Sequence, residues 1–178
     1  MDFLDLAESR YSVRKFSSKK VEKEKLDLVL EAGRAAPTAV NYQPQRILVL
    51  NSEEELEKLK ACTPYHFNAP LVLLVCYDET KSWKRKFDDK DEGSIDASIV
   101  ATHMMLEAAN IGLGSTWVGY FDPQKMKNLY ALPDHIVPVA LLPMGYPDDS
   151  SKPHPNHDMR FDISTTVFYH AFPKDERA

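Results

Sequence analysis

The sequence predicts a domain that mixes helices with strands. Three observations carry this expectation. Segments of helical period, over residues 21–36 and 52–61, alternate with short apolar runs of strand length. Two of those runs, 71–77 and 136–144, are continuous, as strands buried on both faces are. The chain has 178 residues, which suits one domain with a sizeable core over 1–178.

Residues 2–9 read as a short helix with Asp2 as its N-cap. Arg10 to Phe16 has no helical period. Leu26, Val29, Leu30 and Gly33 mark one face of an amphipathic helix that stops at Pro37. Residues 37–45 form a polar loop between Pro37 and Pro44, and 46–50 form a strand. Ser52 and Glu55 have the spacing of a capping box and open the next helix. Leu71 to Tyr77 is a buried strand. Residues 78–93 are dense in charge and read as an exposed, partly helical excursion. It serves equally as cover for a pocket or as a solvated connection.

From Ile95 to Asn110 the helix is apolar nearly all round, so it must be covered on several sides. An ordinary core position and a subunit interface both satisfy that. Gly112 and Gly114 end it. Thr116 to Val118 reads as a short strand, and Asp122 with Pro123 opens a helix to about Tyr130. Ile136 to Met144 is a strand. Residues 148–160 form a polar arm, and 163–172 return to strand composition. A strand reached so late, through a long arm, can pair away from its own domain.

Composition excludes several classes. The net charge of -5 leaves no basic surface suited to nucleic acid. No apolar run approaches the roughly 20 residues that span a membrane. The acidic start at Asp2 and Asp5 lacks the layout of a signal peptide. Cys62 and Cys76 are too few for a disulfide framework and suit a reducing compartment, so a cytoplasmic protein is expected.

Three motifs carry chemistry. In Arg10, Tyr11, Ser12, Val13 and Arg14, an extended backbone points Arg10, Ser12 and Arg14 the same way. Two guanidinium groups beside a hydroxyl suit a phosphate or carboxylate. In the second motif, residues 36–44, small residues lie between two prolines, and Asn41 and Gln43 offer donor and acceptor together. That suits the edge of a heteroaromatic ring. In the third, residues 112–123, Trp117 stands where a dinucleotide fingerprint has its third glycine, and the glycines follow a helix instead of opening one. Gly119 leaves a bare backbone N–H for a ligand.

These motifs, with Ala69 to Val75 and Pro143 to Pro147, resemble in order and spacing the FMN-dependent nitroreductase family. The resemblance implies an α+β fold, an α/β/α sandwich with a mixed, largely antiparallel sheet. It implies a homodimer with two FMN sites at the interface, the apolar helix lying in that interface and the last strand added to the partner's sheet. Carried onto this chain, Arg10 and Ser12 bind the phosphate and ribityl end, and Arg14 lies by the N1/O2 side of the flavin. Pro37, Thr38, Ala39 and Asn41, with Gln43 beside them, approach the flavin held mainly by the other subunit. Val118 and Gly119 pass close to N5, and Arg160 returns from the arm to the phosphate. Gln45 departs from the aromatic residue many relatives carry there, and the short 78–93 excursion leaves substrate choice open.

The activity implied is NAD(P)H-dependent reduction of nitroaromatics, quinones or related acceptors by a ping-pong route, with the chemistry on flavin N5 and no catalytic side chain. NADH and NADPH are not distinguished. A flavin-dependent enone reductase or metabolite dehydrogenase differs in its acceptor profile. A flavin carrier or sensor differs in that NAD(P)H leaves its flavin unbleached. His154, His157 and Asp158 fall short of the four ligands of a structural metal site, so no metal is expected.

Overall fold

The run that begins at Leu71 is the centre of the sheet. A computed structural model describes residues 2–173. The strands are β1 (Gln45–Leu50), β2 (Leu71–Asp78), β3 (Gly114–Ser115) and β4 (Ile136–Gly145), in the order β1-β2-β4-β3. All eight residues of β2 are buried. Leu71, Leu73, Val75 and Tyr77 face one layer; Val72, Leu74 and Cys76 face the other. With both faces covered, neither needs polar residues, which is why the sequence shows no alternation here.

The helices are α1 (Phe3–Ser9), α2 (Lys23–Ala35), α3 (Glu53–Leu59), α4 (Gly93–Asn110) and α5 (Pro123–Leu129). α2 and α4 pack on the first face through Val29, Val100, Met104 and Ala108. α3 and α5 cover the second through Leu59 and Met126. The fold is therefore an α+β sandwich of helix, sheet and helix.

Local signals account for the helix starts. Asp2 accepts from the Leu4 N–H at 3.2 Å. Ser52 accepts from the Glu55 N–H at 3.3 Å. Asp122 accepts from Gln124 and Lys125, both at 3.0 Å, with Pro123 at the first helical position. In β4, Pro138 sits where the register with β2 shifts between Val75 and Cys76. A proline cannot donate to the ladder, so it occupies the irregularity.

Three expectations need correction, and the sheet is largely antiparallel as expected. The segment 163–172 is not a strand: it holds one 3-10 turn, Ile163–Thr165, and its backbone bonds are local, such as Val167 N–H to Ile163 O. A strand needs an edge to pair with, and among the described residues of one chain this segment's backbone bonds stay within itself. The 78–93 excursion carries no helix. Lys84 pairs with Asp91, and Arg85 and Glu92 donate to Lys90 and Trp83, a hairpin-like closure. The strand expected at 116–118 is displaced to Gly114–Ser115, with Val118 alone bridging Leu141. The ladders between named strands are all antiparallel; the mixed character rests on one parallel bridge, Ser12 with Ser115.

Cys62 and Cys76 are free and buried. Burial pushes the Cys76 thiol up to about 12, and raises that of Cys62, so both stay protonated near neutrality. No helix among the described residues is long and apolar enough to cross a membrane.

Candidate functional site

Arg10 ends α1 and turns the chain into extended conformation. Val13 N–H then donates to Ser115 O at 3.0 Å, and Ser12 pairs with Ser115. Val13 is buried while Arg14 is exposed, so the alternation places the arginine face away from the core. Arg14 Nη1 donates to Ser12 O at 3.2 Å, which folds its cation back over the serine. The arrangement brings the N-terminal motif against the start of the third motif.

Gly114 makes this approach possible. A Cβ there would lie 2.5 Å from Val13 Cγ2 and 2.8 Å from Val13 Cβ. Gly114→Ala should therefore displace Val13 and its arginine-bearing segment, and cost about 1–3 kcal/mol as an overpacked site does. Chemical denaturation checks it; a wild-type midpoint would mean the segment yields freely. Gly119 is the opposite case. The nearest atom to a Cβ built there is Trp117 Nε1 at 3.8 Å, an ordinary contact, and the residue is exposed. Val118 fixes that backbone by exchanging two 2.9 Å bonds with Leu141.

The 37–44 loop is tightly specified. Val40, Asn41 and Gln43 have φ of 54, 56 and 51 degrees. Positive φ is tolerated by asparagine but is a true outlier for β-branched valine. The 3-10 turn Ala39–Asn41 was not foreseen within this loop. Gln43 N–H donates to Thr38 Oγ1 at 3.0 Å, and Ala39 N–H donates to Asp96 Oδ1 at 2.8 Å. Pro37, Asn41 and Gln43 are exposed; Thr38 and Ala39 are half-buried. Among the described residues, the buried side-chain oxygens without a partner are Gln45 Oε1 and Asp96 Oδ2. Both border this loop. Such orphans are rare in native proteins and mark places under functional constraint.

The loop and the arginine segment lie at opposite ends of the sheet. β3 pairs with the end of β4 at Gly145 and Met144, and Met144 faces Leu71 at the start of β2. The loop enters β1 at Gln45, opposite Tyr77, and Pro44 O accepts from the Asp78 N–H at the far end of β2. At about 3.3 Å per residue, the length of β2 separates them by roughly 23 Å. α4 spans the same gap, with Asp96 near its start beneath the loop and Gly112 past its end. One chain therefore joins Arg10, Ser12 and Arg14 to β3 at one end of the sheet, sets Val118 against Leu141, itself paired with Leu74 midway along β2, and leaves Pro37, Thr38, Ala39, Asn41 and Gln43 at the other end.

Arg160 is exposed and donates to His157 O and Met159 O within its own arm. The arm returns to the N-terminal segment: Asp148 N–H donates to Lys15 O, Tyr11 donates to Ser151 Oγ at 3.3 Å, and His157 Nε2 lies 3.1 Å from Glu8 O. Asp96 escaped the sequence reading. Its signal was a single carboxylate in the first turn of α4, between Ile95 and Ala97.

Fold and site define a sandwich protein whose candidate ligand surfaces sit at both ends of one sheet, a cationic segment paired with β3 at one and a strained loop at the other. The chain belongs to the nitroreductase family: the family described as Nitroreductase family matches residues 7–64 and 63–146. A nitroreductase family protein of Clostridium difficile 630 has a crystal structure with 43% identity and a TM-score of 0.90, covering 97% of this chain and 100% of its own. An FMN-dependent nitroreductase of Clostridium difficile R20291 is 26% identical with a TM-score of 0.79, covering 95% and 99%. A protein of Methanothermobacter thermautotrophicus, provisionally named NADH dehydrogenase/NAD(P)H nitroreductase, is 30% identical over 157 residues, covering 84% of this chain and 80% of its own.

Proposed function

We propose that this chain is an NAD(P)H-dependent FMN oxidoreductase, a single domain that works as a cytoplasmic homodimer and reduces nitroaromatics, quinones or related acceptors. The observation that carries the reading is the Ser12–Ser115 pairing, which sets the arginine-bearing segment against the strand that leads to Val118 and Gly119. The names of the relatives support the flavin and the nicotinamide donor.

Bound FMN supplies the redox chemistry, accepting electrons from NADH or NADPH and passing them to the acceptor in turn, which gives ping-pong kinetics. Arg10 and Ser12 hold the phosphate and ribityl end, Arg10 by charge-assisted hydrogen bonds. Arg14 places a positive charge by the N1/O2 side, where reduction adds negative charge. Val118 and Gly119 present backbone near N5, and no side chain there serves as proton donor. Arg160 adds a cation to the phosphate once the arm swings from its own carbonyls. Pro37, Thr38, Ala39, Asn41 and Gln43 come from the partner subunit, since their own chain holds them about a strand's length away.

The same reading accounts for two exposed apolar surfaces. A groove of about 810 Å³ runs along α4, lined by Phe3, Leu6, Ile95, Ile99 and Leu106. The tail exposes Phe161, Ile163, Tyr169 and Phe172. Apolar surface of this extent is the mark of an interface. The partner's α4 covers the groove, and its sheet edge accepts the tail as a strand.

The test is the visible spectrum of the purified protein before and after anaerobic NADH or NADPH. Bleaching, with recovery on adding a nitroaromatic or quinone, is expected. A flavin that never bleaches would make the protein a carrier or sensor. No flavin, and none taken up from added FMN, would overturn the reading.

A further inference from the structure

We propose that Asp96 is a positioning residue that clasps the 37–43 loop in its flavin-ready shape. The proposal rests on the reading that this loop approaches the flavin. Asp96 is 2% exposed, and its Oδ1 accepts the Ala39 N–H at 2.8 Å across 57 positions of sequence. The loop it holds carries three non-glycine residues at positive φ within four positions. Such conformations persist only where the surroundings over-determine them. Within the loop, the bonds from Asn41 N–H to Thr38 O, Tyr42 N–H to Ala39 O and Gln43 N–H to Thr38 Oγ1 are all local, so they fold it without fixing it to the domain. The fastenings to residues outside the loop are the Ala39–Asp96 bond at one end and, at the other, the Asp78–Pro44 bond and the 3.3 Å bond from Arg46 Nη1 to Gln43 O.

The chemistry of the clasp follows from its partner. A carboxylate holds a backbone N–H with a charge-assisted bond, stronger than a neutral acceptor provides. Its cost is visible in Oδ2, buried without a partner among the described residues. A core position tuned for stability alone would carry an apolar residue here, as buried Ala97 and Val100 on the same helix do. Asp96 instead trades core quality for loop geometry.

Asp96→Ala should leave the fold intact but raise the rate and extent of FMN release about tenfold to a hundredfold, the range of a lost hydrogen bond to a charged group. Release is read as free-flavin fluorescence on diluting the full-length holoprotein. The Ala39 amide should lose its hydrogen-exchange protection in the same variant. Asp96→Asn keeps an acceptor at Oδ1 and should recover most of the affinity and the protection. Val40→Gly, added to Asp96→Ala, removes the costliest positive φ and should restore part of the affinity.

Wild-type flavin retention in Asp96→Ala overturns the clasp. So does an Ala39 amide that stays protected in that variant. Should Asp96→Ala unfold the domain, Asp96→Asn decides: flavin lost while Ala39 stays protected also overturns it. Asn41→Ala separates the two ideas. If Asn41→Ala keeps its flavin, the loop reading fails; if it sheds flavin while Asp96→Ala does not, the clasp alone fails.

Discussion

Co-expressing a chain that carries Arg10→Ala and Arg14→Ala with a chain that carries Asn41→Ala should restore about a quarter of the flavin sites, although either variant alone binds poorly. The reason is geometric. Arginine segment and loop lie at opposite ends of the sheet, roughly 23 Å apart along β2. An isologous dimer brings the first surface of one subunit to the second surface of its partner, twice. Each mixed dimer then has one site bearing every substitution and one bearing none. Half of randomly assembled dimers are mixed, so about one site in four is intact.

The parent variants must bind poorly for the result to be readable. The lost Arg10 bond to the phosphate costs about 1.5–3 kcal/mol and the lost Arg14 bond to the flavin edge about 0.5–1.5 kcal/mol, so the double variant loses at least about thirtyfold in affinity. Asn41→Ala removes the side-chain amide and also leaves alanine at a φ of 56 degrees, for a combined loss of about tenfold or more. Flavin per chain, measured by absorbance at an FMN concentration between the wild-type and variant affinities, reports the outcome. A co-expressed sample with only the average of its parents would mean that each chain builds its site alone.

Ile95→Asp should convert the protein to a monomer that holds no flavin. Ile95 is 44% exposed in the single chain and lines the α4 groove. In an isolated chain a charge there would be nearly neutral, since surface changes away from special features stay within about 0.5 kcal/mol. Against a partner's apolar helix, the same charge is buried unpaired on both subunits and costs several kcal/mol. Dimer dissociation should therefore strengthen about a thousandfold or more. Sedimentation velocity gives the mass and absorbance gives the flavin. A dimer that persists would move the interface off α4; a monomer that keeps its flavin would sever oligomeric state from cofactor binding.

Much of the architecture was legible from particular residues. Asp2, Ser52 and Asp122 announced helix starts because a short polar side chain followed by helical period has one economical use, accepting from orphan amides. The unbroken run in β2 announced a strand covered on both sides. The N-terminal motif announced its extended backbone by lacking period. What stayed hidden depended on distant neighbours. Val40 at positive φ contradicts the preference of its own residue type, so nothing local predicts it. Asp96 reads as one more polar residue at the start of a largely apolar helix until Ala39 is seen donating to it. The tail composition reads as strand, yet a strand pairs with an edge, and in the single chain the tail's backbone bonds stay within the tail.

The sequence by itself determined the kind of domain, the helix boundaries, the central strand and the residues with the right chemistry for an anion and a heteroaromatic edge. These are short-range properties, set by capping, period and side-chain functional groups. Only the tertiary structure decided that Gly114 admits Val13, that Asp96 reaches the loop, and that the two candidate surfaces occupy opposite ends of the sheet. Register and packing settle those, because the pairings of Ser12 with Ser115 and of Gln45 with Tyr77 join residues that sequence proximity does not relate.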